Sequence, residues 1–107
     1  MPKYLFTGSY SIEGQKGLLR EGGSARVLAV DAIARRVGGK LLSYHFALGD
    51  HDFYVITELP DNSAAAAVAA TIGASGAVAD FETVVLLSPE DLDAAVKLSP
   101  VYRPPGR

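Results

Sequence analysis

Residues 40–59 read Lys40-Leu41-Leu42-Ser43-Tyr44-His45-Phe46-Ala47-Leu48-Gly49-Asp50-His51-Asp52-Phe53-Tyr54-Val55-Ile56-Thr57-Glu58-Leu59, and this stretch decides the fold. Two runs rich in aromatic and β-branched residues flank a cluster of Gly and Asp, which is how a β-hairpin is written. The pattern predicts strands over Lys40–Leu48 and Phe53–Leu59, with Asp50-His51 as the central residues of a tight turn. Such a turn pairs Leu48 with Phe53 and sets His45 opposite Ile56. In Phe53-Tyr54-Val55-Ile56 the apolar residues do not alternate, so both faces of this sheet are apolar.

On either side of the hairpin the signals change period. Tyr4 to Tyr10 reads as a first strand. Ser11–Gly23 carries Gly14, Gly17, Gly22 and Gly23 and is expected to be a loop, with one short turn around Lys16–Arg20. Ser24 is expected to cap a helix that runs to Val37, because Val27, Val30, Ile33, Ala34 and Val37 share one face at helical spacing. Gly38-Gly39 ends it. Beyond the hairpin, Pro60-Asp61-Asn62-Ser63 leads into a helix over Ala64–Ile72. Gly73 to Gly76 closes that helix, and Val78–Leu87 is a fourth strand. Ser88-Pro89-Glu90-Asp91 then opens a third helix: serine caps, proline suits the first position, and the acids favour the positive end of the dipole. Ser99-Pro100 stops it.

Strand, helix, strand, strand, helix, strand is the split βαβ order, an α+β ferredoxin-like fold with a four-stranded antiparallel sheet covered by helices on one face. Residues 1–98 are expected to form one domain with a short C-terminal helix, and residues 99–107 an extended arm of polyproline character. The second sheet face is left apolar and uncovered, which predicts a homo-oligomer, a dimer or a multiple of dimers, packed sheet against sheet.

The composition limits the function classes. A chain of 107 residues, 49% apolar and 21% charged, holds one modest core. It has no cysteine, so thiolate metal sites and disulfides are excluded, and a reducing compartment is expected. Met1-Pro2-Lys3-Tyr4 does not open a secretory signal and no apolar run is long enough to span a bilayer, which predicts a cytoplasmic protein that does not engage membranes. Seven of the ten basic residues lie in residues 1–40, and none lies between Leu41 and Val96. They form no stripe interleaved with aromatics, so nucleic-acid binding is not expected.

Three constellations are candidates for chemistry. Asp50, His51 and Asp52 bring an imidazole between two carboxylates, although Asp and Gly are also ordinary turn formers. The hairpin register places His45, Tyr54, Glu58 and Ser43 on one sheet face; a His45–Glu58 pair could transfer a proton, with Tyr54 holding an oxyanion. The same group would serve equally as a hydrogen-bonded network at a subunit interface. Third, Gly22-Gly23-Ser24 with Lys16, Arg20 and Arg26 nearby could receive an anion at a helix N-terminus. With two histidines and no cysteine, no metal site is expected.

The chain also resembles the GYD-domain family, small bacterial and archaeal proteins related in fold to the dimeric α/β-barrel proteins. The resemblance covers nearly the whole chain. It rests on Lys16-Gly17-Leu18-Leu19, Glu21-Gly22-Gly23-Ser24, Gly38-Gly39-Lys40, Gly49-Asp50-His51-Asp52, Leu59-Pro60-Asp61-Asn62, Ala74-Ser75-Gly76-Ala77-Val78, Leu87-Ser88-Pro89-Glu90 and the closing Tyr102-Arg103-Pro104-Pro105-Gly106. The family's naming motif carries a tyrosine where this chain has His51. The resemblance implies the ferredoxin-like fold and a dimeric α/β-barrel assembly, and it implies no particular reaction. The function expected from the residues is a small-molecule-binding protein or cofactor-independent enzyme. Its pocket would lie between sheet and helices or between subunits, with Tyr4, Tyr10, Arg20, Asp50, His51 and Asp52 as ligand contacts and His45, Glu58 and Tyr54 as catalytic groups. A non-catalytic oligomeric or regulatory module is the alternative.

Overall fold

The computed structural model describes residues 1–107. Its centre is the strand pair β1 (Lys3–Tyr10) and β3 (Phe53–Glu58), flanked by β2 (Lys40–Phe46) and β4 (Val78–Leu86) in the order β2-β3-β1-β4. All three pairings are antiparallel. Helices α2 (Gly23–Arg36) and α3 (Asn62–Ala74) cross one face, as the split βαβ order requires. The residues of β1 and β3 alternate accordingly. Tyr4, Phe6, Phe53 and Val55 turn toward the helices and are buried with Leu59, Ala34, Ala65 and Val68. The alanines of α3 bring that helix close to the sheet; Asp61 caps it by accepting the N–H of Ala64 (2.9 Å).

Two expectations from the sequence are corrected. The glycine-rich segment after β1 is a helix, α1 (Ile12–Glu21), whose N-cap is Ser11. Its hydroxyl accepts the N–H of Gly14 and donates to the carbonyl of Gly76. Glycine ordinarily breaks a helix, but Gly14 is there for proximity: a Cβ on it would lie 2.0 Å from the carbonyl oxygen of Ala77. Ser24 is not a cap. Gly22, at φ +81°, turns the chain directly from α1 into α2, which begins without a side-chain cap.

The hairpin register also differs, by two residues. His45 pairs with Tyr54 and Phe46 with Phe53, with an irregularity between Leu41 and Ser43. A two-residue turn of the type favoured in hairpins would hold Asp50 and His51 at positive φ, and Ser99 is the only non-glycine residue with positive φ. The chain instead spans residues 47–52 with a wider loop, closed by Ala47 N–H to the Asp52 carbonyl (2.8 Å) and pinned to β1 by Asp52 N–H to the Gly8 carbonyl (2.7 Å). From Ser43 to Phe46 a shift of two keeps each side chain on its expected face, whereas the irregularity moves Lys40 and Leu41 to the opposite one.

The last helix, α4 (Pro89–Leu98), is built as the sequence predicts, with a reciprocal Ser88–Asp91 capping box. It buries none of its residues and projects from the end of β4. The radius of gyration is therefore 16.8 Å, against about 13 Å for a compact domain of this length. No helix is long and apolar enough to cross a membrane.

Candidate functional site

The helix-facing side of the sheet does not close completely. Between the sheet and helices α2 and α3 lies a cavity of about 200 Å³. Phe6, Phe53, Val55 and Phe81 form its floor, with Val30 and Ile33 of α2 and Ile72 of α3 above. The rings of Phe6, Phe53 and Phe81 pack at centroid distances of 5.8 and 6.1 Å, so the floor is a continuous aromatic surface.

The polar groups gather at one end. Tyr10 is the last residue of β1, and its ring leans on Phe53 at 5.0 Å. Its backbone N–H donates to the carboxylate of Asp52 (3.0 Å), which holds the strand end in place. Tyr44 reaches the same point from β2, and the two hydroxyls lie 2.8 Å apart. One of them donates to the other, and the acceptor keeps its own O–H proton free to donate. Burial raises the pKa of both phenols above the ordinary value. The shared hydrogen bond raises that of Tyr44 further and lowers that of Tyr10 in part, while Arg26 pulls both back. The pair is therefore neutral at physiological pH, a hydrogen-bond donor rather than a base. Arg26 of α2 is the only charged side chain on the cavity wall. Its Nη2 contacts Glu21 Oε2 at 3.1 Å. Tyr10, Arg26, Ser75 and Ala77 also line an adjoining cleft under α1, so they stand where the cavity opens.

The residues expected to form a site are dispersed. Tyr10 is in the cavity, and Asp52 supports it through the backbone. Tyr4 is buried elsewhere, its hydroxyl donating to Asn62 Oδ1 (2.7 Å) at the start of α3. Arg20 is exposed on α1. The expected proton-transfer pair is not assembled. His45 and Tyr54 face each other across β2 and β3, exposed on the side of the sheet away from the helices. Glu58 lies four residues farther along β3, about 13 Å away, opposite Lys40, whose Nζ is 3.8 Å from its carboxylate. The two-residue register shift is the reason. His51 folds back from the loop over the same outer face, edge-on to Tyr54 at 6.1 Å and with Nδ1 3.6 Å from Asp80 Oδ2. Asp50 contributes its carbonyl to Ser9 (3.2 Å) and leaves its side chain exposed.

Tyr44 is the functional candidate that the sequence reading passed over. A signal was present: Tyr10 and Tyr44 sit on strands that each border a central strand, and a tyrosine that turns inward needs a partner for its hydroxyl.

In comparison with known protein families, the family described as GYD domain matches residues 4–96. No curated protein and no solved structure matches the chain significantly.

Proposed function

The chain belongs to the GYD domain family, and from that premise we propose that it is a small-molecule-binding protein whose ligand occupies the cavity between the sheet and α2 and α3. The observation that carries this reading is the phenol pair: two hydroxyls share one hydrogen bond at the open end of a largely apolar chamber, leaving a donor for a guest. Well-formed apolar cavities with few convergent polar groups are the usual form of such sites. An apolar cavity of about 150 Å³ takes up benzene, so about 200 Å³ suits a body of one ring or a branched chain of that size.

Binding is favoured over proton-transfer catalysis. The cavity wall carries an arginine and two phenols of raised pKa and so lacks a base for neutral pH. On a carbonyl-bearing guest the free phenol O–H can donate to the oxygen, the role expected earlier of Tyr54. The test is ligand-observed NMR with one-ring fragments against the native protein and Val30→Phe, which fills the cavity from α2. Fragments that bind the native chain and not the folded variant support the reading. Fragments that bind both equally place the site elsewhere.

The exposed α4 and outer sheet face favour, as a second element of the function, assembly into a homo-oligomer in the cytoplasm, where a chain without cysteine is chemically at home.

A further inference from the structure

The cavity as binding site is the premise for a narrower statement about its guest. We propose that the ligand is a monocarboxylate with a compact apolar body, and that Glu21 occupies its place on Arg26 until it arrives. Arg26 is the single charge on the cavity wall, so the chamber favours one negative group and opposes a positive one. Its guanidinium is only partly used: the contact with Glu21 is made by one nitrogen, at 3.1 Å. A planar carboxylate can engage the remaining N–H groups two at a time, which a guanidinium does better than any other side chain. The free phenol O–H of the Tyr10–Tyr44 pair opens on the same end and adds a donor.

Two features make Glu21 a weak incumbent. It is the last residue of α1, where the helix dipole disfavours an acid. It is also more than half exposed, at 53%, so water takes over its carboxylate readily. The start of α2, four residues from Arg26 at its Gly22 cap, has neither a side-chain cap nor an acid in its first turn. Its unpaired N–H groups add positive potential there.

The test uses two probes of nearly equal shape, phenylacetate and its neutral amide, titrated calorimetrically into the intact protein. Phenylacetate is expected to bind about tenfold tighter or more, the usual worth of a charge-assisted hydrogen bond. Arg26→Gln is expected to erase that preference, and Glu21→Gln to tighten phenylacetate several-fold. Equal binding of the two probes, or a preference that survives Arg26→Gln, overturns the carboxylate inference and leaves the cavity reading standing. Phenylacetate affinity unchanged in Glu21→Gln overturns the incumbent role. Retention of phenylacetate by Val30→Phe, or failure of both probes to bind, overturns the cavity reading and the inference with it.

Discussion

Tyr44 and His45 are consecutive in β2, yet they belong to different surfaces. One enters the cavity and the other stands on the open sheet, because successive strand residues point to opposite sides. That one-residue difference separates a desolvated phenol from a solvated imidazole, and it has a pH signature. An unfolded tyrosine ionises near pH 10, whereas Tyr10 and Tyr44 hold their protons to higher pH in the folded chain. Their contribution to stability is therefore full below about pH 10 and is lost as pH rises above it. Urea denaturation should show stability falling as pH rises above about 10, and Tyr44→Phe should make that fall shallower while costing about 1 kcal/mol at neutral pH for the broken hydrogen bond. Equal falls in the two proteins would mean that Tyr44 is not desolvated. The inward tyrosine was legible as an alternation of faces; its meeting with Tyr10 was not, because they lie 34 residues apart in sequence and only the sheet order, with β3 between β1 and β2, sets their distance.

At the scale of the element, α1 shows where sequence propensity and tertiary contact disagree. Gly14 and Gly17 both sit inside a helix, where glycine normally costs about 1 kcal/mol relative to alanine. At Gly17 an added Cβ meets nothing nearer than Arg20 Nη2 at 4.0 Å, whereas at Gly14 it strikes the Ala77 carbonyl. The two substitutions should accordingly have opposite signs. Gly17→Ala is expected to stabilise the protein by about 0.5–1 kcal/mol, and Gly14→Ala to destabilise it by about 1–3 kcal/mol as α1 is forced off Ala77. Chemical denaturation of the pair decides the matter; stabilisation in both would mean that α1 is not seated on Ala77. The helices with ordinary signals, α2, α3 and α4, were readable from caps and periodicity. α1 was not, because the residue that seats it looks in sequence like the residue that breaks it. The β2–β3 register was misread for a comparable reason: Gly49-Asp50-His51-Asp52 has the composition of a tight turn, but its central pair lacks the glycine that positive φ demands. From Ser43 to Phe46 the face assignment survived because the offset there is an even number of residues.

The whole molecule leaves one sheet face and one helix without covering. Read across the strands, the outer face has a middle row of Leu5, Val84 and Ile56, an end with Lys3 and Lys40 beside Glu58, and an opposite end with Glu82 and Asp80. In the proposed dimer, a two-fold axis in the plane of the face and perpendicular to the strands reverses the strand direction. It then sets the basic end of one copy over the acidic end of the other, with the apolar rows in contact. Such a face presents roughly 500 Å² in projection, short of the roughly 800 Å² per partner in a stable interface. The exposed Leu92, Val96, Leu98, Val101 and Tyr102 of α4 and the arm are positioned to supply the remainder by lying against the neighbouring copy. Sedimentation equilibrium at micromolar concentration is expected to show a dimer or a multiple of dimers. Val84→Glu, which puts a charge into the apolar row beside Glu82, is expected to give a folded monomer with unchanged circular dichroism. Removal of residues 89–107 is expected to weaken association by about tenfold or more without unfolding the sheet, since α4 buries nothing within its own chain. Dissociation by the truncation but not by Val84→Glu would shift the interface from the sheet to α4, and a monomeric native protein would leave both surfaces to a different partner.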